Sequence, residues 1–113
     1  MYVKIVKAPD GEAPQWVRNA WLGLALPVIY SQPMELPGFG VLTGPKSLLG
    51  HLWARFFVTK SKVHGFVVDA IVAIDLLEEH DAEAANWWRE NAAHMLDGRR
   101  YFLFDKAACS LCA

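Results

Sequence analysis

Two cysteines separated by two residues, Cys109 and Cys112, have the spacing in this 113-residue chain that most directly suggests chemistry. Two thiolates at this spacing can occupy adjacent corners of a zinc tetrahedron, or can cycle between a dithiol and a disulfide. Zinc would need two further ligands, and the four histidines occur singly rather than in pairs. A redox pair would need the N-terminus of a helix to lower its thiol pKa. We therefore interpret both cysteines as small apolar residues at the end of a strand, and expect no cofactor. If a metal is bound, they are its candidate ligands.

A basic and aromatic stretch is the second candidate for chemistry. Residues 36–68 contain no Asp or Glu and carry four Lys or Arg. Cations beside aromatic rings suit phosphate neutralisation with base stacking, or a membrane surface. However, the apolar residues of the segment 47–58 recur at the spacing of a core-facing helix, and the cations are few. We expect a packed helix with a basic solvent face, which disfavours nucleic acid as a partner and leaves Trp53 and Arg55 as candidate contacts with another protein.

The adjacent indoles of Trp87 and Trp88, followed by Arg89, form the third candidate. Neighbouring residues lie about 100° apart around a helix, so both indoles cannot point to the middle of one core. One is expected to be buried, and the other to cover a helix edge or contact another chain. Trp and Arg dominate the binding energy of protein interfaces. We therefore assign Trp87, Trp88 and Arg89 to a candidate partner-binding site.

A ligand pocket is the alternative prediction. Arg18 lies between Trp16 and Trp21 in sequence, and can either stack on an indole or bind an anion. The Pro- and Gly-rich segment 31–45 is predicted to be a long loop, and such loops are often functional. A small enzyme or ligand-binding domain could have its pocket beneath this loop. The residues assigned to that pocket are Arg18, His51 and His64.

Short catalytic motifs are not found. The chain has no Gly-x-Gly-x-x-Gly, no phosphate-binding loop, no His-Glu-x-x-His and no Gly-x-Ser-x-Gly. The acidic residues of the predicted helices read as solvent-facing positions and caps. An enzyme is therefore the less favoured class, although a site assembled from distant residues leaves no short motif.

The elements that would position these residues follow from the apolar periodicity and from the breakers. Strands are predicted at 2–7, 20–26, 39–43, 65–69 and 101–104. Helices are predicted as a short turn opened by Pro14, at 47–58, at 70–79 with Asp69 as its cap, and at 82–96 with Asp81 as its cap. This order predicts one α+β domain over 1–113, with a small curled antiparallel or mixed sheet and two to three helices. An SH3-like barrel is one form that the sheet could take.

Composition sets the remaining limits. The chain is 54% apolar and 20% charged, which is typical of a folded domain with a real core. Two cysteines cannot form a disulfide framework, and no apolar run reaches the ~20 residues of a membrane span. The beginning of the chain lacks the apolar block of a secretory signal, so a cytoplasmic location is expected.

Charge is divided unevenly between two neighbouring segments of the chain. The segment 36–68 carries four cations and no acid, whereas 69–97 carries eight acids against Arg89 alone. Together with the apolar surplus and the adjacent indoles, this division predicts a small non-enzymatic domain that binds another protein, with a second copy of itself included.

Overall fold

A computed structural model describes residues 1–9, 13–30, 32–36, 41–43, 52–54, 63–91 and 100–112. Within these residues the chain forms eight strands and three α-helices. The strands are β1 (Tyr2–Ile5), β2 (Ala25–Pro27), β3 (Met34–Leu36), β4 (Val41–Thr43), β5 (Leu52–Ala54), β6 (Val63–Asp69), β7 (Arg100–Asp105) and β8 (Cys109–Cys112). The helices are α1 (Gln15–Asn19), α2 (Ala70–His80) and α3 (Ala82–Asn91). The predicted α+β class is confirmed.

The strands form two antiparallel sheets. One has the order β2-β1-β8 and the other has the order β3-β6-β7-β4-β5. The 3₁₀ turn Lys106–Ala108 carries the chain from β7 to β8, and the backbone N–H of Ile29 donates to the carbonyl of Val67 at 2.9 Å. These links hold the two sheets together, but neither sheet closes on itself, so the barrel is not confirmed.

The core lies against the middle of the larger sheet. In β7 four consecutive residues, 101–104, are all buried, because elements cover both faces of this central strand. The three-stranded sheet is covered on one face only. Along β1, Val3 and Ile5 are fully buried while Tyr2 and Lys4 are exposed, which is the alternation expected of a half-solvated antiparallel sheet.

Helices α2 and α3 begin where the sequence predicts. A side-chain oxygen of Asp69 accepts hydrogen bonds from the N–H groups of Ile71 and Val72, and Asp81 accepts one from Ala84. The buried residues of α2 recur at spacings of three and four: Ala70, Ala73, Ile74 and Leu77. Residues 92–96, the predicted end of α3, lie outside the described residues. Within the described part of the chain, no helix has the length and apolar character that a bilayer crossing requires.

Four aromatic rings from three separate elements meet in the core. Trp21 follows α1, Trp88 lies on α3, and Phe102 and Phe104 lie on β7. Ring centroids are 5.3 Å apart for Trp21 and Phe104, and 5.1 Å for Trp88 and Phe102. The two indoles are 6.2 Å apart and tilted by 53°. We call these four residues the aromatic cluster, and it joins the helices to the larger sheet.

Two predicted elements are wrong. The helix over 47–58 is contradicted by β5, whose residues Leu52–Ala54 pair with β4. Its apolar spacing resembled a helix, but pairing with another strand outweighs local pattern in a segment rich in aromatic residues. The strand over 20–26 is also too long, because residues 20–23 form a turn in which Gly23 has φ +85°. Only Ala25–Pro27 is extended.

Two strands besides β5 were not predicted. Strand β3 is three residues long and follows Pro33. Strand β8 contains both cysteines, which were predicted to end a preceding strand rather than to form a separate one. Both are short, and each is stabilised by a partner distant in sequence. Periodicity carries little information over three or four residues.

Gly65 allows the close approach of β6 and β7, and this predicts a stability effect. A Cβ atom added there would overlap the carbonyl oxygen of Phe104 and come within 2.7 Å of its carbonyl carbon. These are backbone atoms that cannot rotate away. Gly65→Ala should therefore lower the free energy of unfolding by about 3 kcal/mol, the upper part of the range for overpacking. Urea denaturation followed by tryptophan fluorescence measures the change.

Gly23→Ala is the matched control. Nothing lies within 4 Å of its added Cβ, and only the positive φ opposes the substitution. Its cost should be about 1 kcal/mol. An equal or smaller loss for Gly65→Ala would contradict the close approach of β6 and β7.

Candidate protein-interaction surface

The two adjacent indoles have different environments. Trp88 is fully buried within the aromatic cluster, whereas Trp87 is half-buried at the edge of α3. Their rings are perpendicular, with centroids 5.1 Å apart. Helical spacing thus separates them as expected. Trp88 in this conformation contributes packing rather than contact area, and the role of Trp87 in partner binding remains a prediction.

The side chain of Arg89, a residue of α3, reaches across to α2. Its guanidinium bonds to the carboxylate of Glu78 and, at 3.0 Å, to that of Asp75. The hydrogen bond with Glu78 is the main cause of a raised pKa for Arg89, and burial lowers this pKa only in part. All three side chains are substantially exposed, so the pairs contribute modestly to stability. Arg89 therefore already has two partners within its own chain, and any contact with another protein would compete with them.

The acidic residues of α2 and α3 lie where the sequence places them. Asp69 and Asp81 cap the two helices. The others are exposed on the helix surfaces: Asp75, Glu78, Glu79, Glu83 and Glu90. Apart from Arg89, no described residue of these helices carries a positive charge at neutral pH when histidine is neutral. The surface of the helix pair is therefore strongly negative.

Arg18 holds the segment that precedes α1. Its Nε donates to the carbonyl oxygen of Ala13 at 2.8 Å, and one terminal nitrogen donates to that of Pro9 at 3.4 Å. Neutral carbonyls thus take part of the hydrogen-bonding capacity that an anion would use. The assignment of Arg18 to a ligand pocket remains a prediction, and the structure adds a positioning role that the sequence did not indicate.

The other residues of the predicted pocket are only partly described. His64 is exposed near the start of β6, where its register partner is Glu35 on β3. His51 and Arg55 lie outside the described residues, as do seven of the fifteen residues of the segment 31–45. Six of the other eight belong to strands β3 and β4 rather than to a loop. Trp53 is placed in β5 by its backbone. The pocket is therefore a prediction that the described residues do not test.

The two cysteines occupy an extended strand rather than a turn. Residues 109 to 112 pair in unbroken register with β1. Three steps of about 3.3 Å separate their Cα atoms by about 10 Å, which exceeds the 7 Å limit for a disulfide. Within the described part of the chain, no group of three His, Cys, Asp or Glu residues is arranged to hold a metal. The strand geometry disfavours both the redox and the shared-metal interpretations of this pair.

Large apolar side chains are exposed at several places on the described surface. Ten of them retain 40% to 58% of their accessible area: Met1, Tyr2, Val6, Trp16, Leu22, Ile29, Tyr30, Ile71, Val72 and Leu111. Trp16 and Leu111 are the most informative, because each lies next to fully buried apolar neighbours. Their exposure depends on which elements cover them, so the sequence alone does not predict it.

Replacement of the two adjacent indoles should have unequal effects on stability. Trp88→Ala removes a fully buried ring and should cost about 4 kcal/mol, in the range for large-to-small core substitutions. Trp87→Ala should cost about half as much or less, since its ring is only partly buried at the edge of the core. Denaturant unfolding measures both values, and Trp88→Phe provides a milder variant if Trp88→Ala does not fold. Equal costs would contradict the burial difference.

Cys109 should be an unreactive thiol. Burial is the main cause, with the nearby charge of Asp105, of a pKa raised from 9.0 to about 12. Since the thiolate is the nucleophile, iodoacetamide at pH 8 should alkylate Cys109 on the order of 10³-fold more slowly than in the unfolded chain. The raised pKa also predicts that the free energy of unfolding falls as the pH rises above 9.

Mass spectrometry of a Cys112→Ser variant isolates the reaction of Cys109. The same variant in denaturant is the control, where alkylation should proceed at the rate of a model thiol. Rapid alkylation of the folded variant at pH 8 would contradict the buried position of this thiol.

Comparison with known proteins assigns no family and no function to this chain. No protein-family model, no curated protein and no solved structure matches this chain.

Proposed function

We propose that this chain is a non-enzymatic protein-binding domain whose contact surface includes the outer side of α1 and α3. The observation that supports it best is the exposure of Trp16. Helix α1 packs on α3, yet the indole of Trp16 remains 49% exposed while that of Trp21, five residues later, is fully buried. Trp87 is half-buried on α3.

Exposed indoles are chemically suited to this role. A tryptophan ring presents a large rigid apolar area, and few of its degrees of freedom are lost on binding. Tryptophan is also the residue type most enriched among the positions that dominate binding energy. Two partly exposed indoles on helices that contact each other, with Leu22 40% exposed after α1, offer the apolar centre that a protein interface needs.

The described polar groups support binding over catalysis. Two described groups, Arg89 and Cys109, have a resolved pKa shift, and both shifts are away from reactivity at neutral pH. Asp69, Asp81 and Asp105 cap helical turns. A catalytic acid or base is usually shifted toward the working pH instead.

The test compares variants of the exposed indoles with an exposed aromatic residue elsewhere. Trp16→Ala and Trp87→Ala should each reduce the recovery of a stoichiometric protein partner, or the self-association constant, by about fivefold or more. That loss corresponds to the 1 kcal/mol that marks a significant interface residue. Quantitative affinity purification and sedimentation measure the two quantities.

Tyr30→Ala is the matched control, because Tyr30 is 40% exposed and lies outside α1 and α3. It should leave binding unchanged. A wild-type chain that sediments as a monomer and retains no partner above the level of Trp16→Ala would reject the proposal.

A further inference from the structure

The hydrogen-bonding pattern of β1 and β8 determines which backbone groups point away from the sheet. The N–H of Val6 donates to the carbonyl of Ala108 at 2.8 Å, and Lys4 faces Ser110 in the same register. In an antiparallel pair, hydrogen-bonded and non-hydrogen-bonded positions alternate. The backbone groups of Ser110 therefore face β1, whereas those of Cys109 and Leu111 face the outer edge of the sheet.

Three backbone groups are left at this edge. The N–H of Cys109 donates to the carbonyl of Lys106, which closes the 3₁₀ turn. The carbonyl of Cys109 and both the N–H and the carbonyl of Leu111 remain, and none of the other described strands pairs with this side of β8. An incoming strand could bond to all three groups without moving β8.

The side chain of Leu111 is next to β1 on one side and is uncovered on the other, at the outer edge of the sheet. Its register partner Val3 is fully buried, and so is Leu26, which faces Val3 from β2. Leu111 shares their face of the sheet but is 58% exposed. It lies in the outermost strand, where an apolar side chain from a further strand would cover it.

β8 also lacks the features that normally prevent edge pairing. Natural edge strands carry Lys, Pro or a bulge, whereas Cys109–Cys112 reads Cys-Ser-Leu-Cys with no charge, no proline and no break in register.

Charges around β8 indicate the chemistry of the occupant. Lys4, Lys7 and Lys106 are exposed on or beside this sheet, while Asp105 accepts a hydrogen bond from the N–H of Ala107. A second copy of β8 would bring the same cations together, and a four-residue strand buries far less than the roughly 800 Å² per partner of a stable dimer. An acidic peptide satisfies both the edge and the lysines.

We propose that the outer edge of β8 binds an extended segment of another polypeptide as an added antiparallel strand, with an apolar side chain against Leu111 and acidic residues toward Lys106. This inference rests on the proposed protein-binding function but uses a different surface from Trp16 and Trp87. Main-chain hydrogen bonds would provide the attachment, and the apolar and acidic positions would provide selectivity.

The probe is the acetylated and amidated heptapeptide TVTVTEE, titrated into the ¹⁵N-labelled full chain. The Leu111 amide should shift, and its hydrogen exchange should slow by about tenfold or more, while the Lys4 amide, already bonded within the sheet, should change little. The peptide TVTVTKK should bind at least about tenfold more weakly because its charge opposes that of the lysines.

Leu111→Pro removes the outward N–H while every bond between β1 and β8 remains, so TVTVTEE binding should weaken by about tenfold or more. N-methylation of both valines in the peptide removes the N–H groups that would donate to the carbonyls of β8. This modification tests the same contact if the proline variant does not fold. Leu22→Ala, at an apolar exposed position outside β8, should bind as the wild type does.

Three results would overturn the inference: a Leu111 amide already protected in the free chain, equal binding of the N-methylated peptide, or a dimer that Leu111→Pro dissociates. If Trp16→Ala loses partner binding while the β8 edge does not bind the peptide, the proposed function stands and only this site is rejected.

Discussion

The packing of four aromatic rings is the interaction on which the described structure depends. Trp21, Trp88, Phe102 and Phe104 come from the turn after α1, from α3 and from the central strand β7. Their centroid separations of 5.1 to 6.2 Å and their tilted or edge-on angles suit the quadrupoles of the rings. Both indoles and both phenyl rings are fully buried. The cluster therefore fixes where α1 and α3 lie on the sheet, and with them the exposed edges of both helices.

Two of the arginines assigned to candidate sites from the sequence bond within the chain, whereas the residues left for contact are mostly apolar. Arg18 and Arg89 bond within the chain, one to backbone carbonyls and the other to two carboxylates. Both use hydrogen bonds to hold neighbouring segments of the chain together. The residues left for contact with other molecules are mostly apolar, at the ends and edges of elements. Exposed apolar area of this kind is costly in water unless a partner covers it, and this cost is the physical basis of the proposed binding role.

The predicted elements succeeded where local signals agreed with each other. Asp69 and Asp81 were found as caps because a carboxylate next to an apolar stripe of period 3.6 has few other structural meanings. The strand at 65–69 was found from its β-branched residues, and the structure extends it to Val63–Asp69. The helix predicted over the segment that contains Leu52–Ala54 was wrong because the local signals there did not agree. Its apolar residues fit a helix as well as a strand, and the pairing with Val41–Thr43 decides between them.

The sequence by itself determined the α+β class, both capped helices, and the burial of one indole of the Trp87 and Trp88 pair, since each follows from residue type and spacing within one element. Only the tertiary structure decided that the cysteines lie too far apart to form a disulfide with each other, that Arg89 joins two helices, and that Trp16 and Leu111 remain exposed. These properties depend on which distant segment lies beside a residue. Hydrophobic burial is not directional, so a local pattern identifies an apolar side chain but does not specify what covers it.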